Sequence, residues 1–464
     1  MRRQVLIPLI VACALFMENM DSTVLATSLP AIAGDIGVNP LALKLAFTSY
    51  LVALAVFIPI SGWVADRFGA RTVFALAIAV FMGGSLSCAI ASTLPGFVVA
   101  RFVQGIGGAM MVPVGRLVLL KSVPKSGLVE ALNYLTIPAL LGPIMGPPVG
   151  GLITEYFNWR GIFLINIPIG ILGLVLVLRH IPNIVETQSP RLDLRGFFLL
   201  GFGLSAVMLG LSALGGHMLS GYATAACIAG GTLALLVYAR HARHVPDPVI
   251  DLRLLKYCTF RSGIIGGNLY RIGVGATPFL LPLLFQLGFG LDPFHSGLLT
   301  CTTAVGAMFV KTATVRILKR YGFRRVMSVN AILASLSTAI YGLFTATTSY
   351  WIIVPIFILT GCLRSLQFTA ISAITFAEIT RQTMSQAASV QSMTQRLSQS
   401  LGVAIAAYVL QISSDIQGHA SVVTADFWPT FVFVALISAA SIFFNLTLPV
   451  DAGAEISGHG KKAS

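Results

Sequence analysis

Apolar runs long enough to cross a lipid bilayer recur fourteen times along this 464-residue chain. A helix needs about 20 residues to span the hydrocarbon layer, because each residue adds about 1.5 Å. With 56% hydrophobic and 10% charged residues, the composition lies outside the range of soluble proteins. The sequence therefore predicts an all-α membrane protein with many spans. The runs cover residues 5–29, 45–65, 72–91, 96–120, 131–154, 161–181, 194–214, 222–239, 261–288, 296–318, 326–346, 350–376, 385–410 and 428–448.

The loops between these runs differ sharply in positive charge. An even number of spans places both termini on one side of the membrane. The loops and termini on that side hold 23 of the 30 lysines and arginines, whereas the opposite loops hold only Lys44 and Arg160. Positive loops remain in the cytoplasm, so we expect a multi-pass protein of the bacterial inner membrane with both termini cytoplasmic. This distribution accounts for the net charge of +14 without nucleic-acid binding.

The first run carries two acids, Glu18 and Asp21, in its middle. It is too long for a signal peptide and is expected to be retained as the first helix. A charge near the centre of a bilayer costs at least about 2.5 kcal/mol, so acids at this depth are candidates for a function. The two residues are three positions apart and therefore share one helical face. Burial and mutual repulsion should allow at least one of them to take up a proton.

A charged loop motif follows the second run and is echoed later in the chain. Its residues are Gly62, Asp66, Arg67, Gly69 and Arg71, and glycine permits the tight turn that such a loop needs. We interpret the charges as a gate between the two halves of the protein on the cytoplasmic side. Ordinary loop charge is the alternative. A similar pattern at residues 319–324 follows the tenth run, which favours two repeated six-helix bundles.

Four segments follow from this organisation. We expect an N-terminal six-helix bundle at 1–182, two inserted linker helices with cytoplasmic loops at 183–258, a C-terminal six-helix bundle at 259–449, and a disordered cytoplasmic tail at 450–464. The polar stretches between the runs are too short to form a soluble domain. The fold class predicted is two membrane bundles with a helix pair inserted between them.

A buried base and a glycine-rich helix complete the first half. Arg101 lies inside the fourth run, one turn before a glycine cluster. Arginine keeps its proton and so needs a partner. We expect either a structural tether to carbonyl groups or a role in tuning a nearby proton-binding acid. In the fifth run, glycines at every fourth position allow a second helix to pack closely; the motif residues are Gly142, Gly146, Pro147, Gly150 and Gly151.

Together these motifs resemble one family of membrane transporters. The stretch 20–30, the loop 62–71, the segment 101–109 and the glycines at 146–151 occur in the order typical of the major facilitator superfamily. They are similar in particular to its fourteen-helix drug:proton antiporters of the EmrB/QacA type, including the MdtD-like members. The resemblance implies the major facilitator fold, with two six-helix bundles and two extra helices between them.

The resemblance also implies roles for individual residues. It assigns proton coupling to Asp21 and Arg101, gating to the loop motif, and an antiporter function to the glycines and proline of the fifth helix. Three positions depart from the family pattern, namely Ala26, Ala70 and Asn133. Glu18 is an acid that the pattern does not include, and we place it with Asp21 as a proton-coupling candidate.

The second half carries more buried bases than buried acids. Lys311 and three arginines fall inside predicted membrane helices, and no acid in that half lies clearly within the membrane. Snorkelling and carbonyl partners would satisfy these bases in a purely structural interpretation. The alternative is a cavity of positive potential, suited to an anionic or zwitterionic substrate, beside a stripe of glutamines that favours a helix interface or a wet cavity. The candidate cavity residues are Arg271, Arg364, Gln391, Gln395, Arg396 and Gln399.

No nucleotide-binding, hydrolase or metal-ligating motif occurs in the sequence. We therefore expect a protein that is not an enzyme, with no catalytic residues, no cofactor and no bound metal. The six cysteines lie singly in or beside apolar runs and are interpreted as small membrane hydrophobes. The energy for any transport would come from an ion gradient or from substrate flow.

The leading hypothesis is a proton-coupled secondary transporter that exports small molecules, as a multidrug efflux antiporter connected with drug resistance. Two alternatives stay open. One is an exporter of an endogenous organic anion or its metal chelate, and the other is a non-transporting membrane sensor or scaffold. The expected partners are a small-molecule substrate, protons and membrane lipid. We expect a monomer, and leave open whether a periplasmic adaptor joins it.

Overall fold

A computed structural model describes residues 3–122, 128–182, 192–214, 220–246, 248–380, 383–419 and 421–454, and within these ranges it does not describe the side chains of 3–5, 120–122, 128–140, 312 and 385. All regular secondary structure among these residues is helical, and the helices are joined by short turns. The helices are α1 (Arg3–Ile36), α2 (Lys44–Phe57), α3 (Ser61–Phe68), α4 (Ala70–Ile90), α5 (Leu94–Ser122), α6 (Leu128–Tyr156), α7 (Gly161–Leu164), α8 (Asn166–His180), α9 (Leu194–Ala213), α10 (Gly221–Ala242), α11 (Cys258–Leu283), α12 (Pro293–Phe309), α13 (Lys311–Tyr321), α14 (Phe323–Ile340), α15 (Tyr350–Thr375), α16 (Met384–Ile416), α17 (Thr424–Ala439) and α18 (Ser441–Leu446).

The predicted all-α membrane fold is confirmed. Each of the fourteen predicted runs lies on one helix or on two consecutive helices. Among the described residues, twelve helices are long and apolar enough to cross a membrane, and a bent pair makes a thirteenth if it is counted as one span. The predicted run 131–154 lies on α6, much of which has no described side chains. The predicted number of fourteen is consistent with this architecture.

Several predicted spans differ from the observed helices in length or straightness. The first extends beyond its predicted end, because α1 continues through Pro30 to Ile36. The predicted run 296–318 is divided at Val310 into α12 and α13, which are bent by 59°. Lys311 is therefore the first residue of α13, at a break, and its side chain is exposed. Lys311 thus lies in a helix, as predicted, but the run that contains it is a bent pair of helices and not one continuous helix.

The chain forms two compact units. The first comprises residues 1–249 and 292–298, and the second comprises residues 250–291 and 299–464. The first unit has an apolar core from α1, α2, α4, α5 and α8, with Val11, Phe74, Phe81 and Met111 fully buried. Helices α9 and α10 pack on one another, and α9 also packs on α2. The division into four segments at 182, 258 and 449 stays a prediction, and residues 183–191 and 455–464 lie outside the described part of the chain.

The second unit has its own core around α11, α14 and α15, where Tyr270, Met327 and Ile374 are fully buried. Its junction between α13 and α14 repeats the junction between α3 and α4 in the first unit. Gly69 and Gly322 each separate a short helix from a long one, with φ of 90° and 73°. Only glycine adopts such backbone angles without a steric cost. The sequence echo between residues 66–71 and 319–324 thus has a structural counterpart.

Candidate functional site

The carboxylate of Asp21 lies at the centre of a buried polar cluster in the first unit. Arg101 Nη1 donates a 2.7 Å hydrogen bond to Asp21 Oδ2, and Gln104 Nε2 and Asn166 Nδ2 each donate to Asp21 Oδ1 at 2.8 Å. Ser85 Oγ accepts from the same two amides, at 2.6 and 3.2 Å. All five side chains are at most 3% exposed. The charge of Asp21 is thus compensated by one cation and two amides from neighbouring helices.

Close helix packing brings these groups together. A side-chain carbon on Gly84 of α4 would come within 2.6 Å of Gln104 on α5, and one on Gly105 would come within 2.7 Å of Ala53 on α2. Residues larger than glycine would push the helices apart. The glycines that follow Arg101 therefore let α5 approach α2 and α4 closely enough for Gln104 to reach Asp21.

Glu18 lies one turn before Asp21 and has a different environment. Its side chain is completely buried, and Tyr50 donates a 3.3 Å hydrogen bond to Glu18 Oε1. The Tyr50 ring also lies against the guanidinium of Arg101, whose Cζ is 4.3 Å from the ring centroid. Tyr50 therefore contacts both Glu18 and the cation that pairs with Asp21. The two acids share a helix, as predicted, and each has its own hydrogen-bond partners.

The glycines of α6 pack against α1, the helix that carries both acids. Side-chain carbons built on Gly142, Gly146 and Gly150 would collide with Asn19, Thr23 and Thr27, respectively. These positions recur at the same interval of four along both helices. The sequence predicted a close helix seam here, and the structure identifies α1 as the partner. Gly151 faces the backbone of Pro293, which belongs to the same unit. Pro147 lies on α6 between these glycines.

The loop-motif residues lie around the junction of α3 and α4. Gly62, Asp66 and Arg67 lie on α3, Gly69 forms the junction, and Arg71 lies on α4. The side chain of Arg67 is exposed, while those of Asp66 and Arg71 are half-buried. The described residues form a tight helical connection rather than an extended loop. The gating role of this motif stays a prediction.

The second unit contains an arginine whose charge is poorly compensated. Arg271 on α11 is completely buried, and its Nη1 donates a long 3.4 Å hydrogen bond to Asn268 Oδ1. Its Nε and Nη2 have no hydrogen-bond partner among the described residues. The Phe368 ring centroid lies 5.7 Å from Arg271 Cζ. The geometry of a guanidinium suits hydrogen bonding to a carboxylate or phosphate, and a role of Arg271 in binding an anion stays a prediction.

The other predicted cavity residues lie on α15 and α16, both of which pack against α11. Arg364 is half-buried on α15, and the glutamine stripe with Arg396 is on α16. Gln391 is buried, and its Nε2 has no hydrogen-bond partner among the described residues. Gln395, Arg396 and Gln399 are half-buried. Polar side chains of α11, α15 and α16 could therefore line one region of the second unit. Their role in a substrate cavity stays a prediction.

Several functional candidates were not singled out by the sequence. Gln104 and Asn166 are isolated amides within apolar runs, a signal that should have marked them. Tyr50 gave no comparable signal, because aromatic residues are common in membrane helices. In the second unit, Asp426 is completely buried at the start of α17 and lies 3.0 Å from His419. Asp426 lies two residues before the predicted run 428–448, in the first turn of α17, so the expectation that no acid in that half lies clearly within the membrane stays a prediction.

A family model described as Major Facilitator Superfamily matches residues 11–250 and 263–463. The chain is 38% identical over 463 residues to a multidrug resistance protein MdtD of Cronobacter sakazakii, covering 98% of this chain and 97% of that relative. Solved structures of other transporters have a similar arrangement of helices. The POT family transporter PepTSo has a TM-score of 0.70 at 15% identity, over 95% of this chain and 96% of that one.

A D-xylose-proton symporter is also similar in structure, with a TM-score of 0.67 at 14% identity over 97% of this chain and 98% of that one. At such low identities the two solved structures show a shared fold and nothing about substrate. The family match and the relative from Cronobacter sakazakii extend over nearly the whole chain, including both units.

Proposed function

Because the chain belongs to the major facilitator superfamily of membrane transporters, we propose that it is a proton-coupled antiporter that exports small molecules by alternating access. The multidrug resistance name of its relatives supports a broad range of exported compounds, and hence a role in drug resistance. The distribution of lysine and arginine supports an inner-membrane location with both termini in the cytoplasm.

The observation that carries the proposal is the pair of buried acids on α1 with separate partners. Proton uptake by Asp21 would remove the charge that holds Arg101, Gln104 and Asn166. Proton uptake by Glu18 would leave that ion pair intact. The two acids can therefore have different roles, in which Glu18 binds the transported proton and Asp21 holds Arg101 in place.

Tyr50 can couple proton uptake by Glu18 to the position of Arg101. It donates to Glu18 and lies against Arg101. A change in the charge of Glu18 would alter the Tyr50 hydrogen bond, and with it the surface on which Arg101 rests. A shift of α1 would also move α6, because the two helices are packed in direct contact at the glycines and leave no space between them.

The proposal is tested by dye uptake into inverted membrane vesicles whose lumen is acidified. We expect the wild type to accumulate a lipophilic cation, and Glu18→Gln and Asp21→Asn to lose that uptake. Asp35→Asn is the matched control, because Asp35 is an exposed acid on the same helix that pairs with Arg160 at 2.7 Å. Unchanged uptake by both Glu18→Gln and Asp21→Asn would contradict the proposal.

A second candidate function is export of an organic anion or its metal chelate. Arg271 favours it, since this buried guanidinium has two nitrogens without an acceptor among the described residues. Competition experiments in the same vesicles separate the two candidates. Inhibition by organic anions and not by lipophilic cations would favour the anion exporter. Absence of any exchange by purified protein, across both classes of compound, would favour a sensor or scaffold.

A further inference from the structure

The second unit has an open cavity of about 510 Å³ where α13 meets α14, beside the end of α18. Three arginines line it, Arg320, Arg324 and Arg325. None of them has a salt-bridge partner among the described residues. The Cζ atoms of Arg320 and Arg325 lie 5.4 and 6.0 Å from the Tyr321 ring centroid. Cation–π contacts with this ring stabilise the two guanidinium groups close to one another.

The inner wall of the cavity contains a polar group with an unused hydrogen-bonding capacity. Ser328 lines the cavity and is only 8% exposed, and its Oγ has no hydrogen-bond partner among the described residues. A buried hydroxyl without a partner costs free energy. A ligand oxygen within the cavity could accept a hydrogen bond from it. The arginines and the serine together therefore suit a phosphate group.

The remaining wall is apolar and open to the surroundings. Val329, Leu446 and Val450 line the cavity, and they are 49%, 49% and 70% exposed. A free phosphate ion would leave this apolar surface uncovered. A molecule with a phosphate at one end and hydrocarbon at the other would satisfy both parts of the cavity.

We propose that this cavity binds the headgroup of an anionic phospholipid, with the arginines and Ser328 on the phosphodiester and the acyl chains along Val329 and Leu446. Basic pockets at the cytoplasmic surface of membrane bundles favour such lipids. The placement in the cytoplasmic leaflet rests on the orientation proposed above; the chemistry of the pocket does not. Lipid bound here would contact α13 and α14 at the Gly322 junction, which corresponds to Gly69 in the first unit.

The test is native mass spectrometry of the purified full-length protein titrated with dioleoyl phosphatidylglycerol or dioleoyl phosphatidylcholine. We expect the wild type to retain the anionic lipid preferentially. The double variant Arg324→Gln/Arg325→Gln should bind it about 25-fold more weakly, because each arginine near a lipid surface contributes about a fivefold effect. Ser328→Ala should weaken binding by a smaller factor.

The matched control is Arg253→Gln/Lys256→Gln, which removes two exposed charges from the same unit outside the cavity. It should retain the anionic lipid as the wild type does. Equal loss in both double variants, or no loss in Arg324→Gln/Arg325→Gln, would overturn the proposal. Displacement of the lipid by millimolar inorganic phosphate would also overturn it, since that result assigns the pocket to a free ion. The folding of both double variants can be verified by an unchanged unfolding temperature without lipid.

Discussion

Arg101 and Asp21 form a 2.7 Å ion pair in which the side chains are only 1% and 2% exposed. The two residues are 80 positions apart and belong to α5 and α1. A buried ion pair of this kind is strongly sensitive to the loss of either partner, because the remaining charge is left without compensation. This pair therefore connects the stability of the first unit with the charge state of α1.

The first prediction concerns this ion pair. Asp21→Asn should destabilise the protein by about 3 kcal/mol or more, since it leaves Arg101 buried without a counter-charge. The double variant Asp21→Asn/Arg101→Gln should recover most of that loss. Unfolding temperatures in detergent measure both effects, and vesicle transport should be lost in both variants. Full recovery of transport in the double variant would show that the pair has a structural role only.

The second prediction concerns the seam between α1 and α6. Gly150→Ala should destabilise the protein by about 1–3 kcal/mol, because overpacking forces neighbouring groups to shift. The new side-chain carbon would lie 2.7 Å from both Val24 O and Thr27 Oγ1. Gly83→Ala is the control, since nothing lies within 4 Å of the corresponding position. Equal unfolding temperatures for the two variants would argue against a tight seam.

The third prediction distinguishes a structural from a binding role for Arg271. Replacing a buried cation with unused donors by an apolar side chain of similar length should leave stability unchanged or raise it by about 1–3 kcal/mol. Arg271→Met should therefore unfold at the same or a higher temperature. If Arg271 binds an anionic substrate, the same variant should lose stabilisation by organic anions in a thermal-shift screen. Arg261 is an exposed arginine on the same helix, and Arg261→Gln should retain the stabilisation by organic anions.

The contrary outcome for Arg271 is equally clear. Arg271→Met would be destabilised if the guanidinium served mainly to hold the helices of the second unit together. Stabilisation by organic anions would then change no more than the overall stability does. That result would remove the main support for the anion-exporter candidate.

The fourth prediction concerns pH and lies outside the membrane spans. Asp292 is partly desolvated, which raises its pKa, but hydrogen bonds from the backbone and ring of His295 outweigh this effect and leave the Asp292 pKa below its usual 3.8. A carboxylate with a lowered pKa stabilises the folded state above its unfolded pKa, and that stability is lost as the pH falls through the folded value. The contribution should therefore be complete near pH 6 and fade below about pH 4.

Asp292→Ala checks this pH dependence. The residue accepts a 2.9 Å hydrogen bond from His295 N at the start of α12, and loss of such a cap costs about 0.5–2 kcal/mol. The difference in unfolding temperature between the variant and the wild type should shrink as the pH is lowered. A difference that stays constant down to about pH 3 would contradict the assignment.

The sequence predicted much of this architecture because bilayer physics leaves few alternatives. Long apolar runs must form helices in a bilayer, and each of the fourteen runs lies on one helix or on two consecutive helices. Glycines at every fourth position predicted a close seam but could not name α1 as the partner, since that depends on how six helices pack. Likewise, two acids on one face were visible in the sequence, whereas their separate partners were not.

The residues that the sequence missed share a physical reason. Gln104 and Asn166 reach Asp21 from α5 and α8, and such contacts arise only after distant helices pack together. The break before Lys311 was not predicted, although the segment after Val310 becomes polar and basic with Lys311 and Arg316. Local pattern determines which segments become helices, and tertiary packing determines which polar groups meet.

The measurement that tests proton coupling most directly is substrate-driven proton movement in liposomes containing the purified protein, followed with a pH-sensitive dye in the lumen. The same vesicles report exchange of labelled substrate without a gradient. Glu18→Gln should keep this exchange and lose proton movement, while Asp35→Asn should keep both. Proton movement by Glu18→Gln at the rate of the wild type would contradict the central claim that the acids on α1 couple transport to protons.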